Sequence, residues 1–126
     1  MKNVIASFTI FIFLIFSIVF SINYVEKTCN FYKIEASNLE NVLINNDWEN
    51  AYELSNTFLD NWKKDSKIIA IFVDHNHIDT VYTEALKLTQ YTKCKDKSNS
   101  LASVHTLKFL MDDIVNFEKL TIQNIF

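Results

Sequence analysis

The chain has 126 residues, of which 49% are hydrophobic, and its 12 lysines and 15 acidic residues give a formal net charge of −3. Arginine is absent, and a chain with neither arginine nor a basic surplus lacks the usual footprint of a nucleic-acid-binding protein. Glycine and proline are also absent, which excludes glycine-rich phosphate loops and dinucleotide fingerprints and disfavours tight β-hairpins. We therefore expect an all-α fold and no nucleic-acid partner.

The N-terminal segment has the length and composition of a membrane-spanning helix. Residues 4–22 carry no charged side chain, and as a helix they would extend about 28 Å, close to the thickness of the hydrocarbon layer. A cleavable signal peptide would have a shorter apolar run and small residues at its cleavage site, and Ser21-Ile22-Asn23 matches that poorly. The sequence predicts an uncleaved signal anchor over residues 1–25, which contacts membrane lipid through residues 4–22.

The charges that flank this segment orient it only weakly. Lys2 lies on one side, and Lys27 and Lys33 lie on the other. A short tail before a long hydrophobic run is typical of a signal anchor. We expect a single-pass protein of the cell membrane, with residues 26–126 forming a domain outside the cytoplasm.

Four helical stretches follow in chain order. The first covers about 30–44, either as a helix of its own or as a continuation of the membrane helix outward. The second covers 47–64 and begins at a capping box formed by Asn46 and Glu49. Asp65-Ser66 is interpreted as a joint before the third helix, 67–94, although residues 68–73 also fit a strand.

A polar connector over 93–99 leads to the fourth helix, 100–119, capped by Ser98 or Asn99. The apolar tail 120–126 is expected to pack back onto the other helices. Short polar connectors favour antiparallel neighbours, so the sequence predicts a transmembrane helix followed by a small antiparallel bundle of three to four helices.

One short segment contains residue types that bind metals. Asp74, His75 and Asp79 lie close in sequence, and His105 lies elsewhere. His75 and His77 are two residues apart, about 200° round a helix, so they cannot clamp one ion. His75 and Asp79 share a face but supply only half a site. We expect His75 to be partly buried and bonded to Asp79, with Asp74 and His77 solvated.

Aromatic residues recur at helical spacing, which is typical of a packed core. The predicted core contains Trp48, Tyr52, Phe58, Trp62, Phe72 and Tyr82. Four of them, Trp48, Trp62, Phe72 and Tyr82, would instead line a ligand pocket if the chain were a sensory bundle. Glu49, Glu53 and Asp60 are interpreted as a solvated acidic surface.

The two cysteines are predicted to remain free thiols. In an up-down bundle Cys29 lies at the membrane end and Cys94 far from it. A helix of about 28 residues spans about 42 Å, whereas a disulfide requires Cα atoms within about 7 Å.

The order of several short motifs resembles a known family. The N-terminal anchor is followed by Asp47-Trp48-Glu49-x-Ala51, Trp62, Phe72-Val73-Asp74-His75, Ile78-Asp79, Leu88-x-x-Tyr91 and a terminal Asn124-Ile125-Phe126. Over nearly the whole chain this is similar to the family of short membrane-anchored clostridial proteins catalogued as domain of unknown function DUF4363. The resemblance implies an anchor, a helical domain and a Firmicutes source, and it implies no catalytic residues. His77 occupies a position where the family pattern more often has an acidic residue, which weakens a two-histidine metal site.

The sequence contains no complete catalytic constellation and no cofactor-binding motif. The leading hypothesis is a non-enzymatic, membrane-tethered interaction module that binds another membrane or envelope protein through the acidic or aromatic surface of its bundle. One alternative is a metal sensor or metal-dependent enzyme that uses Asp74, His75, Asp79 and His105. The other alternative is a sensory bundle for a small ligand.

Overall fold

The chain folds into four α-helices. A computed structural model describes the backbone of residues 1–125 and the side chains of residues 1–124. Its helices are α1 (Lys2–Ile44), α2 (Trp48–Ile69), α3 (His75–Lys93) and α4 (Lys97–Ile125), and no strand occurs within the described range. The predicted all-α class is confirmed, and the alternative strand over 68–73 is wrong.

The four helices form an up-down-up-down antiparallel bundle. α1 packs against α2 and α4, and α3 packs against the same two helices, so α1 and α3 lie across the diagonal. Three ion pairs along the seam between α1 and α4 show that these two helices run antiparallel: Glu40 with Lys108, Lys33 with Asp112 and Glu26 with Lys119. The predicted bundle is therefore present, and α1 is one of its four members rather than a separate stalk.

α1 joins the apolar segment to the bundle without interruption. Its side chains are exposed from Met1 to Ser17, and burial begins only at Val25. From there a regular stripe enters the core at intervals of three or four residues: Val25, Cys29, Tyr32, Ala36, Leu39 and Leu43. The expectation that the N-terminal apolar helix continues as far as Ile44 is confirmed. α1 is the one helix within residues 1–125 that is long and apolar enough to span a membrane.

The boundary between α2 and α3 differs from the prediction. Asp65 and Ser66 lie inside α2, because the Asp65 carboxylate turns inward and accepts a hydrogen bond from Tyr32. The chain leaves the helix at residues 70–74, and Asp74 caps α3 by accepting from the backbone N–H of Asn76 at 2.8 Å. α3 therefore begins at His75, eight residues after the predicted start at residue 67. The residue before His75 is Asp74, which supplies the capping carboxylate.

The two connections at the other end of the bundle share one construction. Asn46 and Lys95 adopt positive φ angles of 57° and 56°, where glycine would ordinarily be favoured. Each is followed by an aspartate, Asp47 or Asp96, whose Oδ1 accepts from the backbone N–H three residues later and whose Oδ2 accepts from the Asn side chain there. Asp47, rather than Asn46, is thus the N-cap of α2, and α4 begins at Lys97, ahead of the predicted cap.

A lysine connects these two turns. Lys97 Nζ donates to Asn46 Oδ1 at 3.0 Å and to the carbonyl oxygen of Ile44 at 3.3 Å. The last carbonyl groups of a helix lack intrahelical partners, and a cation complements the negative end of the helix dipole. Lys97 therefore stabilises the end of α1 and holds the turns 45–47 and 94–96 together as one surface, which we call the distal end.

The centre of the core is aromatic and hydrogen-bonded. The Tyr32 ring lies 5.1 Å from the rings of Phe58 and Trp62, in edge-to-face arrangements. Trp62 Nε1 donates to the Ile78 carbonyl at 3.2 Å, and the Tyr32 hydroxyl donates to Asp65 Oδ2 at 2.5 Å. Burial, followed by this bond to Asp65, raises the pKa of Tyr32 far above its usual value. Three helices are therefore connected through side chains whose polar atoms are satisfied.

Removing the Tyr32 hydroxyl should destabilise the bundle. Tyr32→Phe leaves the ring packing in place but deprives a half-buried carboxylate of its donor, so we expect the free energy of unfolding to fall by about 1–3 kcal/mol. Tyr52→Phe is the matched control, because Tyr52 is exposed and surface substitutions usually change stability by less than about 0.5 kcal/mol. Urea unfolding in detergent, followed by far-ultraviolet circular dichroism, measures both. Equal stability of the two variants would contradict this role of Tyr32.

Both cysteines are free, as predicted, and they lie in contrasting surroundings. Cys29 is fully buried in α1, whereas Cys94 is exposed at the distal end, where it caps α3. Burial, with smaller contributions from Asp112 and Glu118, raises the pKa of the Cys29 thiol to about 12. The thiolate is the reactive form, so Cys94 is the accessible thiol of the folded chain.

Candidate functional site

The structure does not bring the four candidate metal ligands together. The Asp74 side chain is used as the cap of α3, and His75 and Asp79 are exposed near the start of that helix. His105 lies on α4, with its Nε2 3.4 Å from Glu40 Oε1. Among the side chains described, no group of three or more His, Cys, Asp or Glu residues is placed to hold a metal ion. The expectation that His75 is partly buried is also wrong.

His77 lies in a more enclosed place than expected. Its ring is half-buried, with Nδ1 3.7 Å from Asp113 Oδ2 and the ring centre 5.0 Å from that of Phe117. Burial raises the pKa of nearby Glu118, and His77 partly offsets that effect. These contacts connect α3 to α4, so His77 has a packing partner and is not simply solvated.

The six predicted core aromatics divide into three groups. Phe58 and Trp62 are buried, and Trp48, Phe72 and Tyr82 are half-buried and packed against the core. Tyr52 is 39% exposed, so its assignment to the core is wrong. The residues suggested as a pocket have packing partners of their own: Phe72 contacts Tyr24, Tyr82 lies beneath the Lys63 ammonium group, and Trp62 is fully buried.

Tyr52 lies beside the buried stripe of α2 and not on it. The buried stripe of α2 runs through Ala51, Ser55, Phe58 and Trp62, so a serine fills the core position next to Tyr52. Its Oγ lies 3.0 Å from Thr92 Oγ1 on α3, and Thr92 also donates to helix carbonyls. Both buried hydroxyl groups therefore have hydrogen-bond partners inside the bundle. Apolar periodicity in the sequence does not identify such a polar pair as part of the core.

An open groove of about 290 Å³ lies at the distal end, between the first turn of α2 and the last turn of α3. We call it the distal groove. Its lining combines two aromatic side chains, one carboxylate, two ammonium groups and a hydroxyl: Trp48, Tyr52, Glu49, Lys93, Lys95 and Thr92. These side chains offer apolar contact, charge and hydrogen-bonding groups at one surface.

The local fold fixes the geometry of the distal groove. Because Asp47 caps α2, Trp48 is the first helical residue, and Tyr52 follows one turn later on the same side. Lys95, which has a positive φ, lies opposite them in the turn that follows α3. Trp48 and Tyr52 were recognised from the sequence as aromatic but assigned to the core. The three residues from α3 and its turn were missed, since no local pattern links them to α2.

Ion pairs join α1 and α4 along the seam between the two helices. Glu40 accepts from Lys108 Nζ and lies near His105. The hydrogen bond from Lys108 holds the pKa of Glu40 below its usual value, although partial burial opposes this. Each member is thus neutralised by a partner, and we assign this cluster to packing between helices.

Comparison with known proteins identifies the family of the chain but not the cellular process in which it acts. No curated protein matches it, and no solved structure matches it. A family model described as "Domain of unknown function (DUF4363)" matches residues 19–125, which include the end of the apolar segment and all four helices of the bundle. The chain belongs to the DUF4363 family.

Proposed function

We propose that this chain is a non-enzymatic interaction module, anchored in the cell membrane by the N-terminal part of α1, and that it binds another membrane or envelope protein through the distal groove. The observation that carries the proposal is the continuity of α1, which leaves the apolar segment and enters the core at Val25 with no linker between. Residues 22 to 44 extend about 33 Å as a helix. The distal groove is therefore held at a fixed height above the lipid.

The composition of the distal groove supports a protein partner. Tryptophan and tyrosine dominate the binding energy of protein interfaces, and they act best when they are held in place before binding. Trp48 is half-buried against the core, and Tyr52 projects beside it. Glu49 on one side and Lys93 and Lys95 on the other present both charges at the rim. A partner segment with an apolar or aromatic side chain between charged neighbours fits this pattern.

The alternatives have weaker support. A metal sensor or metal-dependent enzyme would need Asp74, His75, Asp79 and His105 to converge, and they occupy separate positions on α3 and α4. A small-ligand bundle would need an interior cavity among Trp48, Trp62, Phe72 and Tyr82, whereas Trp62 is packed tightly against Tyr32. Binding through the distal groove requires neither convergence of those four side chains nor an interior cavity.

Photo-crosslinking at the distal groove tests the proposal. With benzoylphenylalanine in place of Tyr52, irradiation of intact cells should give a covalent adduct of one defined mass, because the probe lies in the binding surface. Phe109 provides the matched control, since it is a 66% exposed aromatic on α4, away from the groove. Immunoblotting detects both products.

Charge reversal sharpens this experiment. Glu49→Lys removes the carboxylate at the rim without disturbing the core, so the adduct formed at position 52 should weaken while the amount of anchored protein stays constant. An adduct of equal intensity from positions 52 and 109, or none from position 52, would contradict binding through the distal groove.

The proposed location outside the cytoplasm has an independent test in the two thiols. A membrane-impermeant maleimide should label Cys94 in intact cells, because this thiol is exposed at the distal end. Cys29 should react only after denaturation, since its thiol is buried and its pKa is raised to about 12. Mass spectrometry therefore gives one label on the native protein and two after unfolding. Labelling of Cys94 only after cell lysis would place the bundle in the cytoplasm.

A further inference from the structure

The end of the bundle nearest the apolar segment carries an apolar surface of its own. Ile68, on the last turn of α2, is half-exposed, and Ile71, in the connection to α3, is 74% exposed. On the last turns of α4, Phe117 and Leu120 are also exposed. Isolated exposed apolar residues are ordinary, but several at one end of a domain indicate a contact surface. We call this set, with Ile122, the proximal surface.

The ion pairs between α1 and α4 show how far α4 extends along α1 towards the apolar segment. Lys33 Nζ lies 2.7 Å from Asp112, and one heptad nearer the N-terminus Glu26 lies 3.6 Å from Lys119. α4 continues to Ile125, about 9 Å beyond Lys119 along a helix. Its last turns therefore pass below the lowest ion pair of the seam, where α1 has only apolar and small polar residues.

A groove shows where the end of α4 lies. Ile122 lines a groove of about 300 Å³ whose other walls belong to the apolar part of α1: Ile15, Ile18, Val19 and Ile22. α4 thus packs beside the segment that is long enough to span a membrane, and not only above it. The predicted tail does not fold back, because residues 120–125 continue α4, and of its described side chains Ile122 is the half-buried one, beside α1. Phe126 lies outside the described residues.

The connection between α2 and α3 reaches a similar level. The Phe72 ring lies 6.0 Å from that of Tyr24, and the Tyr24 ring stacks 6.4 Å from that of Phe20. Ile71 is therefore next to the residues where the apolar segment ends. Lys64 and Lys67 are exposed on the final turns of α2, and lysines extend their charge towards headgroups when the stem lies beside lipid.

We infer that the proximal surface lies in the interfacial layer of the membrane that α1 crosses, with Ile71 and Leu120 in contact with lipid. The inference rests on the proposed anchor, because the apolar part of α1 fixes where lipid lies. Continuity of the two apolar surfaces identifies lipid as the occupant. Gln123 and Asn124 are exposed at the same end, so the depth is that of an interfacial helix, about 5–10 Å into the headgroup boundary. The bundle is thereby seated on the lipid and does not stand clear of it.

Fluorescent labels at chosen positions test this inference on the full-length chain. Cys94→Ser leaves only the buried Cys29, so that Ile71→Cys, Leu120→Cys or Ile44→Cys carries one environment-sensitive nitrobenzoxadiazole label. Ile44 is the matched control, since it is an exposed isoleucine at the distal end. The protein is reconstituted into vesicles of phosphatidylcholine and phosphatidylglycerol, some containing nitroxide-labelled lipid. Ile12→Cys reports on the anchor itself.

We expect labels at 71 and 120 to emit at shorter wavelength than the label at 44 and to lose several times more intensity to nitroxide lipid. Labels at 71 and 120 that are quenched as little as the label at 44, while the label at 12 is strongly quenched, would overturn the inference and leave the anchor intact. Weak quenching at 12 would instead overturn the anchor, and with it the inference. Circular dichroism of each labelled variant verifies that the helices are retained.

Discussion

The structure depends on one constraint, which is that a single helix, α1, carries both the apolar segment and a wall of the core. Before Val25 its side chains are almost all exposed, and from Val25 to Leu43 one stripe of it forms a wall of the core. A helix satisfies its backbone hydrogen bonds internally, so it can pass from lipid to a protein core without an unpaired group at the boundary. α2 and α4 both pack on this wall. Their positions, and that of α3 between them, therefore follow from α1.

A chain without glycine must build its turns by other means. At the distal end, Asn46 and Lys95 accept left-handed backbone conformations that cost more for residues with a Cβ atom. The compensation lies in the next residue, because each aspartate satisfies a backbone N–H group of the following helix. Lys97 then joins one turn to the other. The rigidity of the distal end comes from side-chain hydrogen bonds, which also hold Trp48 at the edge of the distal groove.

Much of the fold is predictable from the sequence because apolar spacing and capping residues act locally. The apolar segment, the continuation of α1 and the antiparallel order of the helices are all of this kind. The break between α2 and α3 is not, because residues 68–73 are all apolar and contain no residue that favours a turn. The residues that follow Ile69 make tertiary contacts that the local sequence does not show, such as the packing of Phe72 on Tyr24 of α1.

The candidate site was less predictable for a related reason. Ser55 and Thr92 form a polar pair inside the core, so Tyr52 was assigned to a stripe that Ser55 occupies. A buried hydroxyl can be recognised only with its partner, and that partner lies 37 residues away on another helix. The lysines that complete the distal groove come from α3 and its turn, which meet α2 only in the folded bundle. No local pattern of residues predicts this contact between helices.

The two ends of the bundle have opposite chemistry, and the membrane supplies a reason. At the distal end the turns present Asn46, Asp47, Lys95 and Asp96, whose side chains suit water. At the other end, Ile68 on the last turn of α2 and Ile71 in the connection to α3 are exposed, an arrangement that would favour aggregation of a free soluble bundle. Exposed isoleucines at a reversal cost little where lipid covers them. In the proposed arrangement, the same bilayer that receives α1 covers this end and directs the polar, aromatic groove away from itself, towards whatever protein lies above.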